Sequence, residues 1–167
     1  MNEEASSLLA PLLPFVGNNV YLLALVPILL AIVAGWIFNN IIITSLKKLA
    51  SKTSLVFDDH LFSLLQTPLF NSILLIGLSA SLMILPVPAT SLGIAFSVIQ
   101  SLAIATWVLF LLKSNRILLT AIARNEKRVK AVHNQTLPLF LNLINIFIVV
   151  MAVYLIFSAW NIDMTAW

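Results

Sequence analysis

Residues 20–46 read VYLLALVPILLAIVAGWIFNNIIITSL, an apolar run that contains no acidic, basic or histidine side chain. As an α-helix this run is about 40 Å long, whereas the hydrocarbon core of a bilayer is about 30 Å thick. The excess length predicts a transmembrane helix that tilts or emerges into the cytoplasm, and Pro27 predicts a kink within it. The length of this run, more than the mean hydropathy of the chain, indicates a membrane protein.

Three further apolar runs are also long enough to cross a bilayer. The second span begins at Thr67, which is able to cap a helix, and Pro68 follows at the first helical position, where its missing N–H costs nothing. Pro86 and Pro88 end that span, and the third begins after Ser91. The four predicted spans cover about residues 20–46, 67–85, 92–112 and 136–160.

The composition agrees with this class. Of 167 residues, 61% are hydrophobic and 9% are charged, against about 25% charged residues in an ordinary soluble domain. The absence of cysteine excludes disulfides and thiolate metal sites. Residues 1–19 are interrupted by proline, glycine and asparagine and carry no Lys or Arg, so we expect an interfacial segment rather than a cleavable signal peptide.

The basic residues predict the orientation in the membrane. All nine Lys and Arg residues follow either the first or the third predicted span. By the positive-inside rule both segments are cytoplasmic, so the N-terminus, the turn at 86–91 and the C-terminus are expected on the other side. We interpret these residues as candidate contacts to anionic lipid headgroups. They are Lys47, Lys48, Lys52, Lys113, Arg116, Arg124, Lys127, Arg128 and Lys130.

Both basic segments have helical patterns. Polar side chains recur at three- and four-residue spacing from Lys113 to Lys127, and apolar side chains occupy the other side, which predicts an amphipathic helix that continues the third span. In the first segment, Asp58 and Asp59 lie early in a helix, near the positive end of its dipole. Two alternatives remain open for these segments: contact with lipid headgroups, or ordinary solvated tips with snorkelling side chains.

Together these patterns predict an all-α membrane protein, in which four transmembrane helices form two hairpins with amphipathic cytoplasmic extensions. The predicted parts are an N-terminal non-cytoplasmic segment, two hairpins with basic tips and a non-cytoplasmic connection, at residues 1–19, 20–85, 86–160 and 161–167. A short likeness between residues 66–71 and 135–142 suggests that the hairpins repeat one unit. The alternative is that Thr and Pro are common in the first turn of any membrane helix.

The spans lack the residues that carry chemistry inside a bilayer. Residues 5–46, 61–112 and 134–162 contain no Asp, Glu, Lys, Arg or His, although such residues mark proton relays and ion sites. Asp58, Asp59 and His60 point in different directions on a helix and form no ligand set. We expect no enzyme activity, cofactor, metal or nucleic-acid partner. We expect six polar residues of the spans to form interhelical hydrogen bonds rather than a substrate site. They are Asn39, Asn40, Ser79, Ser81, Asn142 and Asn145.

Two short motifs lie in segments that the predicted topology places on opposite sides of the membrane, the first in the cytoplasm and the second outside. Residues 52–61 read KTSLVFDDHL, with Asp58 and Asp59 at the start of a helix, and residues 160–166 read WNIDMTA, with Trp160 and Asp163. The first resembles the cytoplasmic loop of the small-conductance mechanosensitive channel family, in its larger members with extra helices. The second is similar to the short periplasmic connection that precedes the pore-lining helix of that family.

This resemblance covers about residues 40–167 and implies a function. In the family, the outer helices contact lipid and respond to membrane tension under osmotic stress, and the intact channel is a heptamer in the bacterial inner membrane. The family's pore helix and cytoplasmic β-domain follow the connection and are absent from these 167 residues. The resemblance therefore implies a truncated or split tension-sensing module that does not conduct alone. A transporter or permease fragment and a membrane scaffold subunit are the alternatives.

Overall fold

The computed structural model describes residues 19–50, 59–124 and 137–162. Within these ranges the chain forms four α-helices and no β-strand. They are α1 (Val20–Ala50), α2 (Asp59–Ile84), α3 (Ala89–Arg124) and α4 (Leu137–Ala159). Each is long and apolar enough to cross a membrane. The predicted all-α class with four membrane helices is confirmed.

Helix α2 begins earlier than predicted. Its first residue is Asp59 rather than Thr67, because the predicted cytoplasmic helix and the second span form one continuous helix. Thr67 is exposed and caps nothing, and Pro68 is fully buried inside the helix instead of at its first position. Pro68 has no N–H to donate to the carbonyl of Leu64, so it interrupts the backbone hydrogen bonding at this point.

Helix α3 starts earlier than predicted and extends beyond the predicted span at its other end. It starts at Ala89, before Ser91, and the Leu92 N–H donates to the Pro88 carbonyl at 3.0 Å. It continues past residue 112 to Arg124, in agreement with the predicted helical continuation of the third span. The side chains beyond residue 117 lie outside the described part, so the amphipathic character of this extension stays a prediction.

Helices α1 and α2 pack through small residues. A Cβ atom added at Gly77 of α2 would overlap the Cβ atom of Ala31 and would lie 2.8 Å from the Pro27 carbonyl oxygen. Further along α2, the Ser81 hydroxyl donates to the Ala24 carbonyl oxygen at 2.6 Å. From Gly77 to Ser81 along α2, the contacting residue of α1 changes from Ala31 back to Ala24, so the two helices are antiparallel. Membrane helices associate through such close packing because lipid supplies no hydrophobic drive between them.

Helices α3 and α4 form a second antiparallel pair. At one end the Ser97 hydroxyl of α3 donates to the Ala159 carbonyl of α4 at 2.8 Å. Towards the other end, the Asn115 side-chain amide donates to the Asn145 side-chain oxygen at 2.9 Å. These two contacts determine both the direction and the register of α4 on α3.

Helix α4 ends in a Schellman motif. Asn161 adopts the left-handed conformation, with φ 54°, its N–H donates to the Ser158 carbonyl at 3.0 Å, and the Ile162 N–H donates to the Phe157 carbonyl at 3.0 Å. Asparagine tolerates this conformation better than most other residues. The motif fixes the direction in which the chain leaves α4.

Candidate functional site

The outer surface of the helices is largely apolar. Large hydrophobic side chains are exposed on each described helix, including Tyr21 at 70%, Ile76 at 69%, Ile94 at 58% and Leu139 at 69% of their full accessible area. Contiguous apolar surface of this extent is unusual for a soluble monomer and is the surface expected to face lipid. The exposed surface of the described helices is therefore suited to contact with lipid.

Several hydroxyl groups in the described spans bond within their own helix, whereas the buried Ser114 hydroxyl has no hydrogen-bond partner among the described residues. Ser79 donates to the Leu75 carbonyl at 2.9 Å, and Thr106 donates to the Leu102 carbonyl at 2.8 Å. Such bonds to the preceding turn satisfy a hydroxyl within its own helix. Among the described residues, no group of three or more His, Cys, Asp or Glu is placed to hold a metal ion.

Part of the predicted set of interhelical hydrogen bonds is confirmed. Ser81 and Asn145 bond to neighbouring helices. The prediction for Ser79 is wrong, because its hydroxyl reaches the carbonyl of its own preceding turn. Asn142 is exposed, and so is Asn40, whose backbone carbonyl accepts a bond from Thr44 at 2.7 Å. The side chain of Asn39 lies outside the described part.

A cluster of hydroxyl and indole groups ties α3 to the end of α4. Besides the bond from Ser97 to Ala159, the Trp160 indole N–H donates to the Ser101 hydroxyl at 3.0 Å, and that hydroxyl donates to the Ser97 carbonyl at 2.8 Å. Ser97 is buried at 9% exposure. The spacing of four residues places both serines on one face of α3. We call this end of the α3–α4 pair the Trp160 end.

A second indole joins the two helix pairs. The Trp107 indole N–H of α3 donates to the Ser72 hydroxyl of α2 at 3.1 Å, and Ser72 donates in turn to the Pro68 carbonyl at 2.7 Å. The ring also packs edge-on against Phe110, with 5.9 Å between centroids. Because Pro68 is buried within α2, this chain of two hydrogen bonds connects α3 to the interior of the first helix pair.

The described structure covers only part of the predicted headgroup contacts. Lys113 and Arg116 are exposed on α3. Lys47, Lys48 and Arg124 lie in helices, but their side chains are outside the described part. Outside the described residues altogether are Lys52, Lys127, Arg128 and Lys130. Contact with headgroups stays a prediction for all nine.

The motif residues are likewise described only in part. Trp160 lies in the cluster with Ser101, and Asp59 is the first residue of α2. Asp58 and Asp163 fall outside the described residues. Sequence reasoning did not identify the roles of Ser72, Ser97 and Ser101, because serine within an apolar run usually bonds to its own helix.

Comparisons with protein-family models, curated proteins and solved structures give no match to this chain.

Proposed function

We propose that the chain is the membrane-tension-sensing transmembrane module of a mechanosensitive ion channel. This proposal rests on where the polar and the apolar side chains of the spans lie. Polar groups such as Ser81 and Asn145 bond to a neighbouring helix, and most of the exposed side chains are large and apolar. The buried Ser114 hydroxyl is an exception, because it has no hydrogen-bond partner among the described residues. Such a unit exchanges force with lipid through its surface.

The length of α3 supports a response to membrane thickness. Its candidate span, Ala89–Ile117, has 29 residues. That span includes Lys113 and Arg116, so its uncharged part is residues 89–112, which is about 36 Å long. The candidate span of α4, Pro138–Ala159, has 22 residues and is about 33 Å long, close to the bilayer core of about 30 Å. Mismatch costs a fraction of a kcal/mol per Å. Tension thins a bilayer, so it adds mismatch to a helix that is already too long and favours greater tilt.

The bonds between helices would transmit this tilt. The Trp160 end holds the end of α4 on α3 through Ser97 and Ser101, so a change in the tilt of α3 displaces the segment that follows Asn161. In the family that residues 52–61 and 160–166 resemble, the pore-lining helix follows this segment. We propose by the same resemblance a heptameric assembly in the bacterial inner membrane, with both termini of the chain non-cytoplasmic.

Residues 1–167 alone are proposed to be non-conducting. A water-filled pathway needs a polar or small-residue face, or a ring of charges or carbonyls. The described exterior instead carries Leu, Ile, Val and Phe, so packing copies together would give an apolar contact. Reconstituted chain stretched in a patch is therefore expected to give no discrete openings.

A chimera tests the proposal. Residues 1–167 are fused in front of a pore helix and β-domain of the small-conductance family, and the tension threshold is measured in excised patches. The control is the same pore and β-domain without residues 1–167. We expect the chimera to open under tension at a threshold different from that of the control. Identical thresholds would contradict the proposed role, and so would discrete openings from residues 1–167 alone.

A further inference from the structure

Helix α3 carries a buried hydroxyl that no protein group satisfies within the described structure. Ser114 is 5% exposed, and its hydroxyl oxygen has no hydrogen-bond partner among the described residues. The adjacent Asn115, by contrast, is bonded to Asn145 of α4. Burying a hydroxyl without a hydrogen bond is unfavourable, and the large majority of buried polar groups in native proteins bond to protein or to ordered water. The Ser114 hydroxyl is therefore expected to have a partner of its own.

The turn that contains Pro68 leaves a hydrogen-bond acceptor on α2. Pro68 lies inside the helix and has no N–H, so the Leu64 carbonyl oxygen lacks the bond that residue 68 would otherwise donate. In an α-helix the carbonyl of one residue points along the axis towards the N–H four residues later. The Leu64 carbonyl therefore points towards Pro68, whose side chain is fully buried. An acceptor on a buried side of α2 is thus left without its helical donor.

The register of α3 on α2 places these two groups at the same level. The helices are consecutive and joined by a short turn, so they run antiparallel, and Trp107 of α3 meets Ser72 of α2. Ser114 follows Trp107 by seven residues, and Leu65 precedes Ser72 by seven. Seven residues make close to two turns and about 10 Å of helix. Ser114 therefore lies on the same face of α3 as Trp107, level with Leu65 and with the carbonyl of Leu64.

The position of Ser114 along α3 makes water available to this level of the helices. Lys113 and Arg116 lie on either side of it in the sequence, and both are exposed. Charged side chains of a membrane helix reach the interface rather than remain in hydrocarbon, so Ser114 lies within about one turn of the headgroup region. A buried water molecule bonds to polar groups that would otherwise be unsatisfied. Water is also small, as a ligand between two closely packed helices must be.

We propose that α2 and α3 bind one water molecule, which accepts a hydrogen bond from the Ser114 hydroxyl and donates one to the Leu64 carbonyl. The water satisfies one group that the packing of α3 buries and one that the proline in α2 leaves without a donor. Together with the bonds from Trp107 to Ser72 and from Ser72 to Pro68, it joins the two helices on both sides of the proline. The inference requires only the packing of α2 on α3 in a membrane. It does not rest on tension sensing, so the chimera experiment and the experiments below fail separately.

Solid-state NMR of the full chain in lipid bilayers tests the site. Magnetisation is transferred from water protons to the protein, and the build-up of each side-chain carbon signal reports how close that carbon lies to water. We expect the Ser114 Cβ signal to build up early and the Ser81 Cβ signal late, because Ser81 is equally buried, at 4% exposure, but donates directly to the Ala24 carbonyl. A late build-up at Ser114 would overturn the proposal and would indicate that its hydroxyl bonds to the Phe110 carbonyl of its own helix.

A proline variant and a matched control distinguish a bound water from interfacial water nearby. Pro68→Ala restores an N–H at residue 68, which bonds to the Leu64 carbonyl and removes the acceptor of the water. We therefore expect the early build-up at Ser114 to be lost in Pro68→Ala. Pro27→Ala makes the same chemical change inside α1 and should leave the build-up at Ser114 as in the parent. An early signal in both variants, or its loss in both, would overturn the site, and circular dichroism checks that both variants keep their helical content.

A double-mutant cycle in reversible unfolding provides a second measurement. In the parent, Ser114→Ala removes one hydrogen bond of the bridge and should raise the equilibrium constant for unfolding about threefold, the average effect of a hydrogen bond between membrane helices. In the Pro68→Ala background no bridge remains, so Ser114→Ala should leave that constant unchanged or lower it, because it removes an unsatisfied buried hydroxyl. The same threefold rise in both backgrounds would overturn the proposal, since the hydroxyl would then act independently of the Leu64 carbonyl.

Discussion

Replacing Gly77 with alanine tests the contact between α1 and α2 directly. The new Cβ atom would overlap that of Ala31 and would lie 2.8 Å from the Pro27 carbonyl oxygen. Neither neighbour is able to rotate away, because one is attached directly to the backbone and the other belongs to it. The helices must therefore shift apart around Gly77, and the Ser81 hydroxyl moves with α2 away from the Ala24 carbonyl.

The magnitude follows from the cost of overpacking. Inserting a methyl group into a closely packed contact costs about 1–3 kcal/mol when the surroundings have to move. Because about 1.4 kcal/mol is a factor of ten, the equilibrium constant for unfolding should rise about five- to 150-fold. Gly35→Ala should destabilise the chain less, since a Cβ atom there lies 3.1 Å from the ring of Phe70, and that side chain is able to rotate away. The expected order of destabilisation is Gly77→Ala, then Gly35→Ala.

The assay is reversible unfolding of the chain in mixed micelles, titrated with a denaturing detergent and followed by circular dichroism. Gly93→Ala is the matched control, because it makes the same chemical change in a transmembrane helix at a position with nothing within 4 Å of the new atom. The difference between the two variants isolates the cost of packing from the intrinsic helix preference of alanine. The double variant Gly77→Ala with Ala31→Gly should recover part of the lost stability.

Two results would refute this reasoning. One is a free energy of unfolding for Gly77→Ala that equals or exceeds that of Gly93→Ala, because the α1–α2 contact would then not be close at Gly77. The other is an Ala31→Gly substitution that destabilises the Gly77→Ala variant as much as it destabilises the parent, because the overlap with Ala31 would then contribute nothing.

The remaining predictions concern the end of α4, the junction of the helix pairs and the topology. Asn161→Val should lower the free energy of unfolding by about 1–2 kcal/mol, because a β-branched residue is disfavoured at positive φ; Asn161→Gly should not, and equal losses would exclude the left-handed cap. A double-mutant cycle of Trp107→Phe and Ser72→Ala should give a coupling free energy of about 0.6 kcal/mol in the same titration. If the two substitutions instead have additive effects on the free energy of unfolding, the hydrogen bond is contradicted. An impermeant thiol reagent should label Ser91→Cys and not Asn125→Cys in intact cells; labelling of Asn125→Cys would reverse the proposed orientation.

Sequence reasoning succeeded where the property is local to one segment. A helix that crosses a bilayer must satisfy its own backbone and present apolar side chains, so run length alone predicts it. Residues 20–46 illustrate this, and so does α4, which starts at Leu137, one residue after the predicted start of the fourth span. The early start of α2 was missed because Pro68 suggested a first turn, whereas the helix accommodates it in its interior.

The tertiary structure was needed to show which helix faces pack against each other. A helix that is apolar on all sides has no single face that its sequence assigns to a neighbour, so nothing in residues 20–46 indicates that Ala31 meets Gly77. The same holds for the bonds from Trp107 to Ser72 and from Ser97 to Ala159, which depend on how each helix is rotated about its axis. The sequence by itself determined how many helices cross the membrane and where, because that depends on apolar length. Only the tertiary structure decided which faces meet, because lipid solvates every apolar face alike and close packing alone distinguishes them.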